Sequence, residues 1–127
     1  MLYVKPLTIP KNTGKDEPAS VQLVCTAGKV TEVEILFPPG CMGLVGVRVR
    51  DFEHIVWPTN PDEWIIASGE TVEWDEDYDL AGTPWTLTLE GYSDDDTYPW
   101  TIYFRFAVME SEKATLVRHF WDWVRGW

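Results

Sequence analysis

Between Trp100 and Val108 every second residue is large and apolar: Trp100, Ile102, Phe104, Phe106 and Val108 alternate with Thr101, Tyr103, Arg105 and Ala107. Successive side chains point to opposite faces of a strand, so this spacing presents one continuous apolar face only if the segment is extended. Residues 97–108 are therefore expected as the central core strand. The same period of two recurs upstream. Val21, Leu23 and Cys25 alternate with Gln22, Val24 and Thr26; Val33, Ile35 and Phe37 alternate with Glu32, Glu34 and Leu36. Val45, Val47 and Val49 fall on one face and Gly46, Arg48 and Arg50 on the other, and Trp85, Leu87 and Leu89 oppose Thr86, Thr88 and Glu90.

Turn-forming clusters separate these runs. Phe37-Pro38-Pro39-Gly40 reverses the chain, and Trp57-Pro58-Thr59-Asn60-Pro61 ends a short run from Phe52, because each proline removes a backbone donor and restricts its predecessor. Trp64-Ile65-Ile66 and Val72-Glu73-Trp74 flank Ser68-Gly69 and are expected as a short hairpin or two brief edge strands. Residues 75–79 and 94–96 are expected as acidic loops. Short strands at roughly ten-residue spacing, with no helices between them, specify an all-β fold. The expectation is an antiparallel β-sandwich, jelly-roll-like, over residues 21–110, preceded by an extended N-terminal arm over 1–20. That arm holds a polar stretch with Asn12, Gly14, Asp16, Glu17 and Pro18.

After residue 110 the period changes. Ser111 can cap a helix, and Leu116, Phe120, Trp123 and Trp127 recur at helical spacing, joined by Val117, Trp121 and Val124. Asp122 stands four residues from Arg118 and three from Arg125, spacings that favour helix over strand. Residues 111–127 are thus expected as a short C-terminal amphipathic helix. A helix of about 14 residues is marginal alone, so it needs a surface to lie on, in its own sandwich or on another molecule. Leu116, Phe120, Trp121, Trp123, Val124 and Trp127 are the candidate partner-binding residues, since Trp is enriched where partners anchor.

Charge and cysteine usage narrow the function classes. The formal net charge is -11, and residues 51–96 carry 14 acidic side chains and no Lys or Arg. Such a stretch repels phosphate, which argues against nucleic-acid binding in a basic groove. Acidic faces serve solubility in the plain reading, and an electropositive partner or a cation in the sharper one. No apolar run approaches the length of a membrane span, and Lys5, Pro6, Pro10 and Lys11 interrupt any signal-like stretch, so neither a membrane nor export is expected. Cys25 and Cys41 form no CxxC pair and are expected as thiols.

A catalytic constellation is hard to assemble. His54 and His119 are the two imidazoles, and no HExxH, GxSxG, GxxxxGK[ST] or GxGxxG motif occurs. Glu70, Glu73, Glu76 and the aspartates offer carboxylate pairs beside Trp57, Trp64, Trp74, Trp85 and Trp100, a weak pattern for glycoside chemistry or sugar stacking. Asp75, Asp77 and Asp79 follow D-x-D-x-D but fail as an EF-hand, because Leu80 stands where the loop needs Gly and Thr86 where it needs Glu. A looser calcium site remains open at Asp75, Asp77 and Asp79 or at Asp94, Asp95 and Asp96; otherwise no cofactor is expected. For the second triplet the plain reading is a hairpin turn in which Asp side chains bond their own backbone.

Several of these segments together resemble small virion-associated β-sandwich proteins of tailed phages and related prokaryotic viruses. The likeness is carried by Leu7-Thr8-Ile9-Pro10-Lys11-Asn12-Thr13, by Phe37-Pro38-Pro39-Gly40-Cys41 with Gly43-Leu44-Val45-Gly46-Val47, by Trp57-Pro58-Thr59-Asn60-Pro61, and by Asp94-Asp95-Asp96-Thr97-Tyr98-Pro99-Trp100-Thr101. The resemblance implies a structural part of a virion, made in the host cytoplasm: a head decoration or accessory protein, or a tail or fibre component. It supplies no catalytic residues. The expectation is a non-enzymatic protein that forms homo-oligomers and attaches through apolar terminal segments to other virion proteins such as the major capsid protein. The alternative is a carbohydrate-binding β-sandwich module, calcium-stabilised, as in a tail-fibre or adhesion component.

Overall fold

A computed structural model describes residues 1–60, 62–80 and 85–110. They form nine strands: β1 (Leu2–Ile9), β2 (Ala19–Val24), β3 (Gly28–Leu36), β4 (Val45–Asp51), β5 (His54–Trp57), β6 (Ile65–Ile66), β7 (Thr71–Asp79), β8 (Thr86–Ser93) and β9 (Trp100–Glu110). One sheet has the order β1-β9-β3-β7; the other has β2-β8-β4-β5, with β6 pairing on β4. Every pairing is antiparallel. The pairs nest: β1 with β9, β2 with β8, β3 with β7, β4 with β5. The first half of the chain thus lies against the second in mirror order, and β9–β3 and β8–β4 pairings complete the two sheets.

Alternation selects the inner faces. On β9, Ile102, Phe104, Phe106 and Val108 are buried, and they meet Val30, Val33 and Ile35 of β3 and, from the other sheet, Val45, Val47, Val49, Leu87 and Leu89 in one core. Such close-packed apolar burial is the main stabilising term of the sandwich. Phe104 and Phe106 stack at 6.3 Å, and Phe106 stacks in turn on Trp57 at 6.1 Å, which ties the sheets together. The expected central strand thus lies between β1 and β3. Gly40, at φ 101°, makes the turn after the two prolines, and the Trp100 ring packs where a Cβ would stand, 2.9 Å away.

The structure departs from the sequence reading in four places. Residues 2–9, read as part of an extended arm, are an edge strand whose Leu7 and Ile9 are buried; Pro6 is tolerated because its missing donor costs nothing on an edge. The rest of the arm is tethered, since the Asn12 amide donates to the Asp95 carbonyl at 2.8 Å and the Ser93 amide donates to the Thr13 carbonyl at 2.9 Å. The expected hairpin of 64–66 and 72–74 does not form: β6 joins β4, β7 joins β3, and the two strands belong to different sheets. Residues 75–79, expected as an acidic loop, continue strand β7. Phe52 is not in a strand but turns the chain at φ 57° between β4 and β5, its ring exposed. The expected helix over 111–127 lies outside the described residues. Among those residues no helix is long and apolar enough to cross a membrane.

Candidate functional site

The proposed partner-binding residues Leu116, Phe120, Trp121, Trp123, Val124 and Trp127 lie outside the described residues, as does His119. The surface from which that segment departs is described, however. On the outer face of β1, Leu2 and Val4 are 67% and 52% exposed, and their cross-strand partners on β9 are Ala107 and Arg105. Pro6 lies opposite Tyr103, itself exposed, and Met109 continues the same face of β9. The Met1 ammonium donates to the Val108 carbonyl at 2.7 Å, which holds the exposed Met1 beside the end of β9. One outer face therefore carries a band of Leu2, Val4, Tyr103 and Met109 that runs toward the end of β9, while Met1, whose sulfur accepts from the Tyr3 hydroxyl, lies on the opposite face. Sequence reasoning missed this band, although Leu2 and Val4 alternate with Tyr3 and Lys5.

The other half of the same face is acidic. Glu32 stands directly across from Asp75, and Glu34 across from Glu73. The carboxylates of Glu32, Glu34 and Glu73 lie within 4.8 Å of one another. Burial, then the charge of Glu34, pushes the Glu32 carboxyl up from its ordinary value. Arg105 reaches Glu34 at 3.3 Å and Lys29 reaches Asp77 at 2.8 Å. Asp75, Asp77 and Asp79 project from one exposed face of β7, spaced along a strand rather than wrapped in a loop.

Asp94, Asp95 and Asp96 form the turn between β8 and β9. Asp95 is buried, and its Oδ1 accepts from the Thr97 and Tyr98 amides at 2.8 and 3.3 Å while Oδ2 accepts from the Trp100 indole at 2.8 Å. The Thr97 amide, then the Trp100 indole, holds its carboxyl below the ordinary value. Asp94 and Asp96 are exposed to either side. The triplet thus has the geometry of a turn whose Asp bonds its own backbone.

A cavity of about 370 Å³ opens between the sheets where β5 and β7 are both edge strands, lined by Trp57, Pro58, Thr59, Ile65, Val72, Trp74 and Glu76. Trp57 and Trp74 meet at 67° with centroids 6.2 Å apart, and both indoles donate to Glu76 Oε1, at 2.8 and 3.0 Å. The Asp77 amide donates to Oε2 at 3.1 Å. Burial raises the Glu76 pKa, but the hydrogen bonds from Trp57, Asp77 and Trp74 outweigh it and hold the carboxyl below its ordinary value. Beneath, Tyr78 donates to Asp51 at 2.9 Å; burial, then that bond, raises the phenol pKa.

The remaining aromatics are engaged elsewhere. Trp64 packs edge-on against Tyr92 at 4.9 Å and carries the Arg48 guanidinium over its ring at 4.2 Å. Arg48 and Arg50 converge on buried Glu90 at 3.2 and 2.7 Å, and Lys15 lies over Tyr92 at 4.7 Å. Both cysteines are free and buried. Burial, then the charge of Asp51, pushes the Cys25 thiol up to about 11, and burial raises Cys41. Neither is a ready nucleophile at neutral pH.

No known family model matches the chain, and no curated protein matches it. Solved structures to which it is similar include Fe(II) HppE, at a TM-score of 0.43 and 8% identity over 84% of this chain; the chain spans 43% of that protein's length. The Yersinia pseudotuberculosis-derived mitogen matches at 0.43 and 6% identity, over 88% of this chain and 89% of that one. The Tobacco streak virus coat protein matches at 0.37 and 9% identity, over 88% and 91%. Viral coat proteins are thus among the weak structural neighbours, and nothing in these likenesses points to phages in particular.

Proposed function

We propose that this chain is a non-enzymatic structural component of a virion, a jelly-roll-like building block that self-associates and attaches to a larger assembly through its apolar terminal segments. Its partners are further copies of itself and other virion proteins such as the major capsid protein. The observation that carries this reading is the apolar band of Leu2, Val4, Tyr103 and Met109 on the outer face of β1 and β9, running toward the end of β9. Exposed apolar patches on soluble domains mark interaction surfaces, and here β9 is followed in the sequence by a segment rich in Trp. The nested strand pairing supports the jelly-roll-like reading.

Sedimentation of the full chain tests the proposal. The expected result is a mass of more than one chain, reduced in a Leu2→Glu/Val4→Glu variant that melts as the original does; Glu at position 4 faces Arg105 across the ladder and so keeps the strand paired. A single-chain mass for the original protein, or an unchanged mass in the variant, contradicts it. The carbohydrate-binding alternative finds less support: Trp57 is buried, Trp64 is covered by Arg48 and Tyr92, and the Trp100 indole is bound to Asp95.

A further inference from the structure

The cavity between β5 and β7 has a chemistry that selects its ligand. Its lining is Trp74, Ile65, Val72, Pro58 and the buried Trp57, and its charged group is the Glu76 carboxylate. A carboxylate offers about four lone-pair sites, and three are taken by the two indoles and the Asp77 amide. Hydrogen-bonding capacity is nearly exhausted while the negative charge remains. A guanidinium needs a free carboxylate edge for its paired donors, so it fits poorly. A sugar needs several acceptors and donors that the lining does not provide beyond the Thr59 hydroxyl, and an anion is repelled. One carboxylate is too few for a calcium ion.

What remains is a group that is attracted by charge and ring faces and makes few hydrogen bonds. We infer that the cavity walled by Trp74, Ile65 and Val72 and charged by Glu76 is a binding site for an organic cation, a quaternary ammonium group. Cations of this kind are held by aromatic walls and a nearby carboxylate. The surroundings favour it: residues 51–96 contain no Lys or Arg, and Glu73 and Asp75 on the opposite face of the same strand add negative potential, while Asp77 is paired with Lys29.

Titration of the full chain, observed at the indole N–H resonances of Trp57 and Trp74, tests the site with choline against its uncharged carbon isostere 3,3-dimethylbutan-1-ol. Choline should move both resonances saturably, and the alcohol should bind about tenfold more weakly or not at all. Glu76→Gln keeps an acceptor oxygen for the indoles but removes the charge, so it should abolish the preference for choline. Capped trimethyl-lysine, as its N-acetyl methylamide, distinguishes the source of the group: saturable binding of it assigns the site to a trimethylated lysine of a partner, and binding of choline alone assigns it to a free quaternary ammonium ion. No saturable shift from either cation, equal affinity for choline and the alcohol, or a preference that survives in a folded Glu76→Gln variant overturns the inference. The comparison of choline with the alcohol needs no variant and stands if Glu76→Gln fails to fold.

Discussion

Asp95 illustrates how one side chain fixes a turn. It satisfies two backbone amides and the Trp100 indole at once, and Trp100 in turn packs on Gly40. Its folded-state pKa lies below the unfolded value, so its contribution to stability is complete above about pH 4 and is lost as pH falls through the folded value. Asp95→Ala should therefore lower Tm by several degrees at pH 7, and the difference should shrink toward pH 2. Thermal melts across that range check it; a difference independent of pH would show that packing rather than the carboxylate's bonds is responsible. This turn was legible in the sequence as one of two readings of 94–96, because Asp-rich turns bond locally. The link from Glu76 to Trp57 was not legible, since the two residues are brought together by strands in different sheets and no local pattern encodes that meeting.

At the level of strands, alternation identified most of β2, β3, β4, β8 and β9, where β-branched and aromatic residues recur at every second position. It failed at β1, where Lys5 and Pro6 interrupt the pattern, and at the end of β7, where Asp75, Asp77 and Asp79 have low strand propensity and imitate a loop. Tertiary pairing overrides that propensity, because Trp74 and Tyr78 on the opposite face pack against the core. The acids have a cost and a use. They set like charges across the β3–β7 ladder at Glu32/Asp75 and Glu34/Glu73, and they guard a nine-residue edge strand against pairing with another copy. Glu73→Lys should convert one repulsion into an attraction and raise Tm by about 2 °C at pH 7. Because Glu32 titrates above its ordinary value in the folded protein, the repulsion it feels is present at neutral pH and relieved as pH falls through that raised value. The gain from Glu73→Lys should accordingly fade in acid. An unchanged Tm at pH 7 would show that Arg105 and solvent already neutralise this face.

At the scale of the whole molecule, the sequence pointed to an antiparallel β-sandwich, and the described residues form two antiparallel sheets, but the nested order could not be read from it, since pairing partners such as β1 and β9 lie at opposite ends of the described residues. That order brings Met1 to Val108 and so places the start of β1 and the end of β9 at one corner beside an apolar band. The central claim is that assembly runs through this corner. Light scattering on the full chain and on a Trp121→Ala/Trp123→Ala/Trp127→Ala variant tests it most directly. If each indole enters a partner pocket, its loss costs about 2 kcal/mol or more, and the variant should fall to the mass of one chain while melting as before. An original protein that is already a single chain in solution, or a folded variant that keeps the assembled mass, would contradict the account.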